Sequence, residues 1–314
     1  MNSFVRAGLC GLAISAGVAI AQKPNEVASS SNDVIGTGVV DPMLRTAAPT
    51  DDAPVPFVKG LNFIVTTSSQ HDSATGWSNV LEPNLSYRFN QHFAVDVDFP
   101  FYTRVNAFVP TTTGRTTTST LKTSSGLLGD TVISGQFDWD LKSFWYTGST
   151  SMGVPTGDSE LGLTANQVTW NVNNHFERTM GLFTPNVELG IGNSSSLDNT
   201  DSRKTYVAVG PAAFFQAGTM VDMPLRMTLE MDAYESLPIG DQRVYGTITR
   251  RGKTVQVLEG TGAAEDNGFS TSLLTPLSRH LSFMGYYTRS LRQHVDTVGF
   301  SFSYVLRAPK EKSE

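Results

Sequence analysis

Apolar and polar side chains alternate along residues 166–173. Val168, Trp170 and Val172 share one face. The side chains between them are polar: Gln167, Thr169, Asn171 and Asn173. Because successive side chains of a strand point to opposite faces, this pattern predicts a β-strand with one apolar face. Residues 225–232 repeat it: Leu225, Met227, Leu229 and Met231 alternate with Arg226, Thr228, Glu230 and Asp232. Such strands suit a soluble sandwich, which buries its apolar face, or a barrel in lipid, which turns that face outward.

Twelve segments are predicted to be strands by this alternation and by the turn residues between them. They span residues 58–68, 79–89, 92–103, 127–139, 143–153, 166–176, 182–192, 204–217, 224–236, 267–276, 280–289 and 294–306. Most reach the roughly 9–11 residues of a tilted membrane strand. After residue 21 no apolar run approaches the roughly 20 residues of a spanning helix. A membrane form of this chain would therefore be a closed barrel.

The predicted connections alternate in length. With the N-terminus in the periplasm, the outer connections are 69–78, 104–126, 154–165, 193–203, 237–266 and 290–293. The inner ones are 90–91, 140–142, 177–181, 218–223 and 277–279. Apart from the last outer connection, every outer one is longer than every inner one, as in outer-membrane barrels. Residues 243–259 resemble a hairpin, which we assign to an external loop; counting it as barrel would give fourteen strands.

The N-terminus of the chain predicts export. Arg6, the apolar residues 7–20 and the small residues Ala19 and Ala21 form the pattern of a signal peptide over 1–21. Residues 22–57 are rich in Ser, Ala, Thr, Asp and Pro and predict a flexible N-terminal arm, with a lumen plug as the alternative. The barrel would occupy 58–306 and a charged tail 307–314. Cys10, the one cysteine, would leave with the signal, and a disulfide-free exported β-protein suits a Gram-negative outer membrane.

Composition and motifs exclude several kinds of function. A net charge of −6 argues against nucleic acid as a partner. The sequence has no Gly-x-Ser-x-Gly, no phosphate loop and no His-Glu-x-x-His, and its five histidines are scattered. Asp198, Asn199 and Asp201 lack the regular spacing of a dedicated calcium loop. We therefore predict no enzyme, no cofactor and no metal site.

An apolar face turned to lipid places the polar face around a lumen. The lumen-lining residues predicted in this way are Arg88, Asp96, Asp98, Asp138, Glu188, Arg226, Glu230 and Asp232. Twelve strands enclose a lumen between those of filled eight-stranded barrels and open sixteen-stranded porins. Acidic side chains outnumber the two arginines, so a narrow channel and a lumen closed by opposing charges both fit. Aromatic residues around the predicted turn 140–142, among them Trp139, Phe144 and Trp145, favour an interfacial girdle.

Three motifs between residues 126 and 192 resemble a known family. They are Gly126-Leu127-Leu128-Gly129-Asp130-Thr131-Val132-Ile133, Gly153-Val154-Pro155-Thr156-Gly157-Asp158 and Asn186-Val187-Glu188-Leu189-Gly190. Their order is similar to that of the phenol-degradation MetA-pathway outer-membrane β-barrel family, some of whose members are transporters. The resemblance implies a barrel that passes small, often aromatic or hydrophobic, compounds, and it carries no catalytic residues. This chain departs from the usual pattern of outer-membrane barrels in one respect: a charged tail follows its aromatic last strand.

These observations together predict an all-β, antiparallel up-and-down transmembrane β-barrel of about 12 strands in the cell outer membrane. We expect a passive channel or transporter whose partners are outer-membrane lipids, the barrel assembly machinery and a small-molecule solute. One alternative is a non-transporting structural barrel with a lumen closed by its charges. The other is a soluble exported β-protein that binds a ligand.

Overall fold

The computed structural model describes residues 60–73, 76–90, 92–113, 116–157, 163–194, 207–250, 253–260, 265–278 and 280–306. The predicted signal peptide, N-terminal arm, charged tail and the acidic residues at 198–201 lie outside these ranges. The strands within them are β1 Gly60–Asp72, β2 Gly76–Arg88, β3 Phe93–Asp98, β4 Phe101–Thr113, β5 Thr116–Ser124, β6 Leu127–Leu128, β7 Thr131–Asp140, β8 Trp145–Val154, β9 Thr169–Glu177, β10 Phe183–Ser194, β11 Val207–Met223, β12 Met227–Pro238, β13 Arg243–Arg250, β14 Lys253–Gly260, β15 Asp266–Pro276, β16 Leu281–Ser290 and β17 Val295–Val305. No helix in the described ranges is long and apolar enough to cross a membrane.

Twelve of these strands form one closed antiparallel ring. Its order is β1, β2, β3, β7, β8, β9, β10, β11, β12, β15, β16, β17 and back to β1. The closing pair β1–β17 runs in register from Ile64↔Val305 to Asp72↔Thr297. The predicted all-β, up-and-down barrel of twelve strands is therefore confirmed.

Two hairpins extend beyond the ring at one end. The β13–β14 hairpin continues from β11 through Val207–Val209, while β12 pairs directly with β15, so this hairpin adds no strand to the barrel. The β4–β5 hairpin lies within residues 104–126, which had been predicted to be a loop. That segment is rich in threonine, whose β-branched side chain favours extended backbone. The prediction correctly placed a long connection between ring strands here, but it missed that the connection forms a β-hairpin.

The first predicted outer connection, residues 69–78, is wrong. The register between β1 and β2 continues to Asp72↔Gly76, which leaves three residues for the turn. The polar residues there had suggested a loop, but Gln70 and Asp72 are buried on the enclosed face. His71, between them, packs on Trp77 with ring centroids 5.1 Å apart. The β1–β2 connection is therefore short, in addition to the predicted short connection at 290–293.

The predicted inner connection 218–223 is also wrong. Strand β11 continues to Met223, which pairs with Met227, and a 3-10 turn at Pro224–Arg226 joins the two strands. Pro224 has no N–H to donate to the ladder, which favours a turn at this position. Leu225 and Arg226 have φ values of 66° and 59°, and both are exposed. Arg226 consequently lies in a turn and not on the enclosed polar face predicted for it.

The two faces of the barrel differ in polarity. On β9, Asn171 and Asn173 are 6% and 5% exposed, whereas Trp170 is 42% exposed. In a closed ring of one sheet the buried face is the inner one, so the interior is polar and the outside apolar. Aromatic side chains gather on the outside near the inner turns: Phe137 and Trp139 have ring centroids 5.4 Å apart, and Phe144 and Phe176 5.9 Å apart. This polarity is the reverse of that in a soluble sandwich.

Candidate functional site: the enclosed polar face and its external end

Asp138 is the centre of a hydrogen-bonded group that joins three strands. Its carboxylate lies 3.3 Å from Nη2 of Arg88 on β2 and accepts from Nε2 of Gln136 at 2.7 Å. The hydroxyl of Thr147 on β8 donates to the same carboxylate at 3.0 Å. The strand period places these side chains on the inner face, because Gln136 and Asp138 are two residues apart on β7. The predicted residues Arg88 and Asp138 are thus brought together as an ion pair.

Glu188 faces His175, one of the histidines that the sequence had shown only to be scattered. His175 and Glu188 are direct partners in the β9–β10 register. Nδ1 of His175 lies 3.4 Å from Oε2 of Glu188, and its Nε2 lies 3.2 Å from Oε2 of Glu177. All three side chains are largely buried. The alternation of Asn171, Asn173 and His175 could have identified the histidine as an inward residue.

The other predicted acidic residues are distributed around the interior. Asp96 and Asp232 are buried, and Asp98 and Glu230 are half-buried. Asp98 accepts from Nδ2 of Asn84 at 2.6 Å, and Glu230 accepts from Oγ of Ser272 at 3.4 Å. Among the described residues, no group of three or more histidine, cysteine or acidic side chains could hold a metal ion.

Two further buried carboxylates were missed because they lie in segments predicted to be loops. Asp266 accepts from Oγ of Ser290 at 2.5 Å, and Asp72 accepts from Oγ1 of Thr297 at 3.5 Å. The described side chains then include six buried carboxylates, and no lysine or arginine whose side-chain burial is described is equally buried. Each of these six has a polar or charged partner. The interior is acidic, and its charges are embedded in hydrogen bonds.

Several buried amides are not satisfied by the protein. Both amide atoms of Asn186 are buried and have no hydrogen-bond partner among the described residues, and the same holds for Oδ1 of Asn173. Buried polar atoms in folded proteins are nearly always paired with protein or with ordered water. These amides project from the inner face next to the His175–Glu188 pair. Their need for a partner favours an interior that holds water.

An apolar cluster occupies the end of the interior at which β1 turns into β2; we call this the external end, after the topology predicted from the sequence. Val80, Tyr102, Val105 and Leu163 pack together, all at most 2% exposed. Val80 belongs to the enclosed face of β2, between buried Ser78 and Asn84. Leu163 comes from the connection between β8 and β9, so this connection reaches into the barrel.

The side chain of Asp130 is hydrogen-bonded to the backbone of that connection at two points. Oδ1 of Asp130 accepts from the N–H of Gly157 at 3.0 Å, and Oδ2 accepts from the N–H of Ala165 at 3.0 Å. Oγ1 of Thr156 accepts from the N–H of Thr131 at 2.8 Å. Asp130 and Gly157 belong to two of the motifs that carry the family resemblance. The sequence spacing did not predict that these two motifs contact each other.

Comparisons with known proteins agree with the barrel. No protein-family model matches the chain, and no curated protein matches its sequence. An outer-membrane channel from Pseudomonas putida F1 is similar in structure, at 14% identity over 82% of this chain and 99% of that one, with a TM-score of 0.54. This likeness shows that the chain shares the fold of an outer-membrane channel. Two further structures are less similar. The KdgM porin is 6% identical over 77% of this chain and 98% of that one, with a TM-score of 0.45. The toluene transporter TodX of Pseudomonas putida is 10% identical over 88% of this chain and 95% of that one, with a TM-score of 0.42.

Proposed function

We propose that this protein is a passive channel of the bacterial outer membrane for small molecules. The inverted polarity of the barrel carries the proposal, because Trp170 and Val172 lie outside while Asn171 and Asn173 are enclosed. A barrel in lipid needs this arrangement, and a soluble barrel would leave its apolar face in water. The proposal includes export by a signal peptide at 1–21, insertion by the barrel assembly machinery and contact with outer-membrane lipids.

The interior supports passage of a solute. The unsatisfied amides of Asn186 and Asn173 favour a hydrated path. The residues proposed to line it are Arg88, Asp96, Asp98, Asp138, Glu188, Glu230 and Asp232. The apolar cluster at the external end adds a surface for a solute with an aromatic or hydrophobic part, the class implied by the family resemblance. Rings of acidic side chains favour cations in a pore.

Two experiments test location and passage separately. Membrane fractionation, with heat-modifiable migration on gels, should place the folded protein in the outer membrane. Purified protein in a planar bilayer should give discrete conductance steps, and liposomes containing it should take up small solutes. Folded, membrane-inserted protein without conductance or uptake of any small solute would overturn the channel proposal.

A second candidate is a non-transporting barrel whose interior is closed. It is favoured by Asp138, which three donors from Arg88, Gln136 and Thr147 hold in place. This candidate predicts the same membrane location and no conductance, so the bilayer experiment separates the two. The third reading, a soluble exported protein that binds a ligand, predicts a folded protein that remains monodisperse without detergent.

A further inference from the structure

We propose that Asp130 holds residues 163–165 of the β8–β9 connection inside the external end of the barrel, and that the cluster around Leu163 is the constriction of the channel. Release of the Asp130 carboxylate would then withdraw Leu163 from the cluster and widen the path. The constriction rests on the proposed channel function, whereas the anchoring of the connection does not.

The anchor is a carboxylate shared between two ends of one connection. Gly157 lies near the start of the connection and Ala165 near its end, and each donates its backbone N–H to a different oxygen of Asp130. Hydrogen bonds to an ionised acceptor are roughly twice as strong as neutral ones. Because Asp130 directly precedes β7 and lies three residues beyond Leu127, which packs on the cluster, the anchor is fixed to the barrel wall.

The fit of the anchor leaves no space for a side chain at Gly157. A Cβ atom there would overlap the carbonyl oxygen of Leu163 and lie 2.9 Å from the carbonyl carbon of Gly129. Both of these are backbone atoms, which cannot rotate away. The neighbouring Thr156 hydroxyl also contacts the Thr131 hydroxyl at 2.8 Å. Backbone packing and side-chain hydrogen bonds therefore hold the turn against the start of β7.

The segment held by the anchor is buried within the barrel. Leu163, Thr164 and Ala165 are 2%, 2% and 5% exposed, although they belong to a connection between strands. Connections normally run over the surface of a protein. Leu163 belongs to the same packed cluster as Val80 of the inner face and Tyr102. The connection thus brings the apolar side chain of Leu163 into the interior, at the end where the β4–β5 and β13–β14 hairpins extend beyond the ring.

The test uses accessibility and conductance of the same protein. Leu163→Cys is made in a Cys10→Ser background, and its reaction with a water-soluble maleimide is timed in folded, detergent-solubilised protein. Asp130→Asn is then added, because its amide nitrogen cannot accept and one of the two N–H groups loses its partner. The control is Asp140→Asn, whose carboxylate accepts a single N–H from Lys142 in the turn at the opposite end. Conductance is measured without the added cysteine.

We expect Asp130→Asn to speed labelling by about tenfold or more and to raise single-channel conductance, while Asp140→Asn changes neither. Unchanged labelling would overturn the anchor. Faster labelling with unchanged conductance in an active channel would overturn the constriction. Faster labelling in a protein that never conducts would support the anchor and overturn the proposed channel.

A second variant keeps the test decisive if Asp130→Asn does not fold. Thr131→Cys with Thr156→Cys, again in the Cys10→Ser background, replaces the two hydroxyls that touch across the anchor. Oxidation should lock the connection, so that the oxidised protein conducts less than the reduced protein. A higher conductance on oxidation would contradict the proposal.

Discussion

The ring of Tyr286 lies directly over Gly299 on the inside of the barrel. The two residues are register partners on β16 and β17, and a Cβ atom at Gly299 would overlap the phenol ring. The tyrosine side chain extends across Gly299, and its hydroxyl donates to Oε1 of Gln70 on β1 at 2.9 Å. Because Gln70 is the partner of Gly299 on its other side, one side chain connects three strands at the junction of the first and last strands.

Gly299→Ala should therefore weaken this junction. The added methyl group displaces the ring and breaks the hydrogen bond to Gln70, and overpacking of this kind costs about 1–3 kcal/mol. We expect a lower free energy of unfolding, measured by tryptophan fluorescence in urea with detergent. Gly285→Ala is the matched control, because its nearest heavy atoms belong to Phe283 at 3.7 Å. Equal losses in the two variants would show that the ring needs no glycine beneath it.

A charge on the outer face should impair membrane assembly more than the same charge on the inner face. Val172 is 39% exposed on the outside near the middle of β9, and Asn171 beside it is enclosed. Val172→Arg should destabilise the inserted barrel by about 2–4 kcal/mol, as expected for a lipid-facing charge near the midplane. Asn171→Arg should be tolerated better, because it lies on the polar enclosed face. Heat-modifiable migration measures both, and a larger defect in Asn171→Arg would reverse the assigned faces.

Conduction should favour cations. Enclosed carboxylates predominate, Arg88 is paired with Asp138, and Arg226 lies in an exposed turn. Replacing Glu230 with Gln and Asp232 with Asn should lower the preference for potassium over chloride in a bilayer, because lumen charges tune selectivity. Asp241→Asn is the control, since Asp241 is exposed between β12 and β13. Anion selectivity of the unmodified protein would contradict this prediction.

The two ends of the barrel should differ in their access to protease. The β13–β14 hairpin extends beyond the ring, and its sequence contains Arg250 and Arg251. Trypsin added to intact cells should cut there and spare Lys142, which lies in a short turn at the opposite end. Mass spectrometry of the fragments identifies the cut. Cleavage at Lys142 in intact cells, with the hairpin spared, would mean the opposite orientation.

The alternation of side chains was sufficient to predict the barrel, because an apolar outer face and a polar enclosed face impose a period of two on every ring strand. The prediction failed where the two faces do not differ in polarity, and where the alternation does not end with the strand. Ser68 and Ser69 are polar on both faces of β1, so the end of this strand resembled a loop. At Leu225 and Arg226 the alternation continued through the 3-10 turn that begins at Pro224. The apolar–polar pattern alone cannot distinguish a continued strand from a turn.

The candidate site was predictable only in part. Glu188, Asp138 and Asp232 follow from strand position, because an inward acidic residue remains inward whatever its partners are. The contact of Asp130 with Gly157 depends on how a connection folds back between strands, and no periodicity describes that path. His175 lay within reach of the prediction, since its neighbours at 171 and 173 were already assigned inward.

Closure of the ring also sets the order in which the strands can pair during folding. The hydroxyls of Thr66 and Ser303 are 2.8 Å apart, although 237 positions separate them in the chain. Most other neighbours in the ring are consecutive in sequence and can meet as soon as each hairpin is made, whereas β1 must wait for the last strand. Until then both strands present open edges, which readily pair with other chains, and contacts of such long range form slowly. A catalyst or holding factor would be needed most during this interval, and its effect should appear in the yield of folded protein rather than in its final stability.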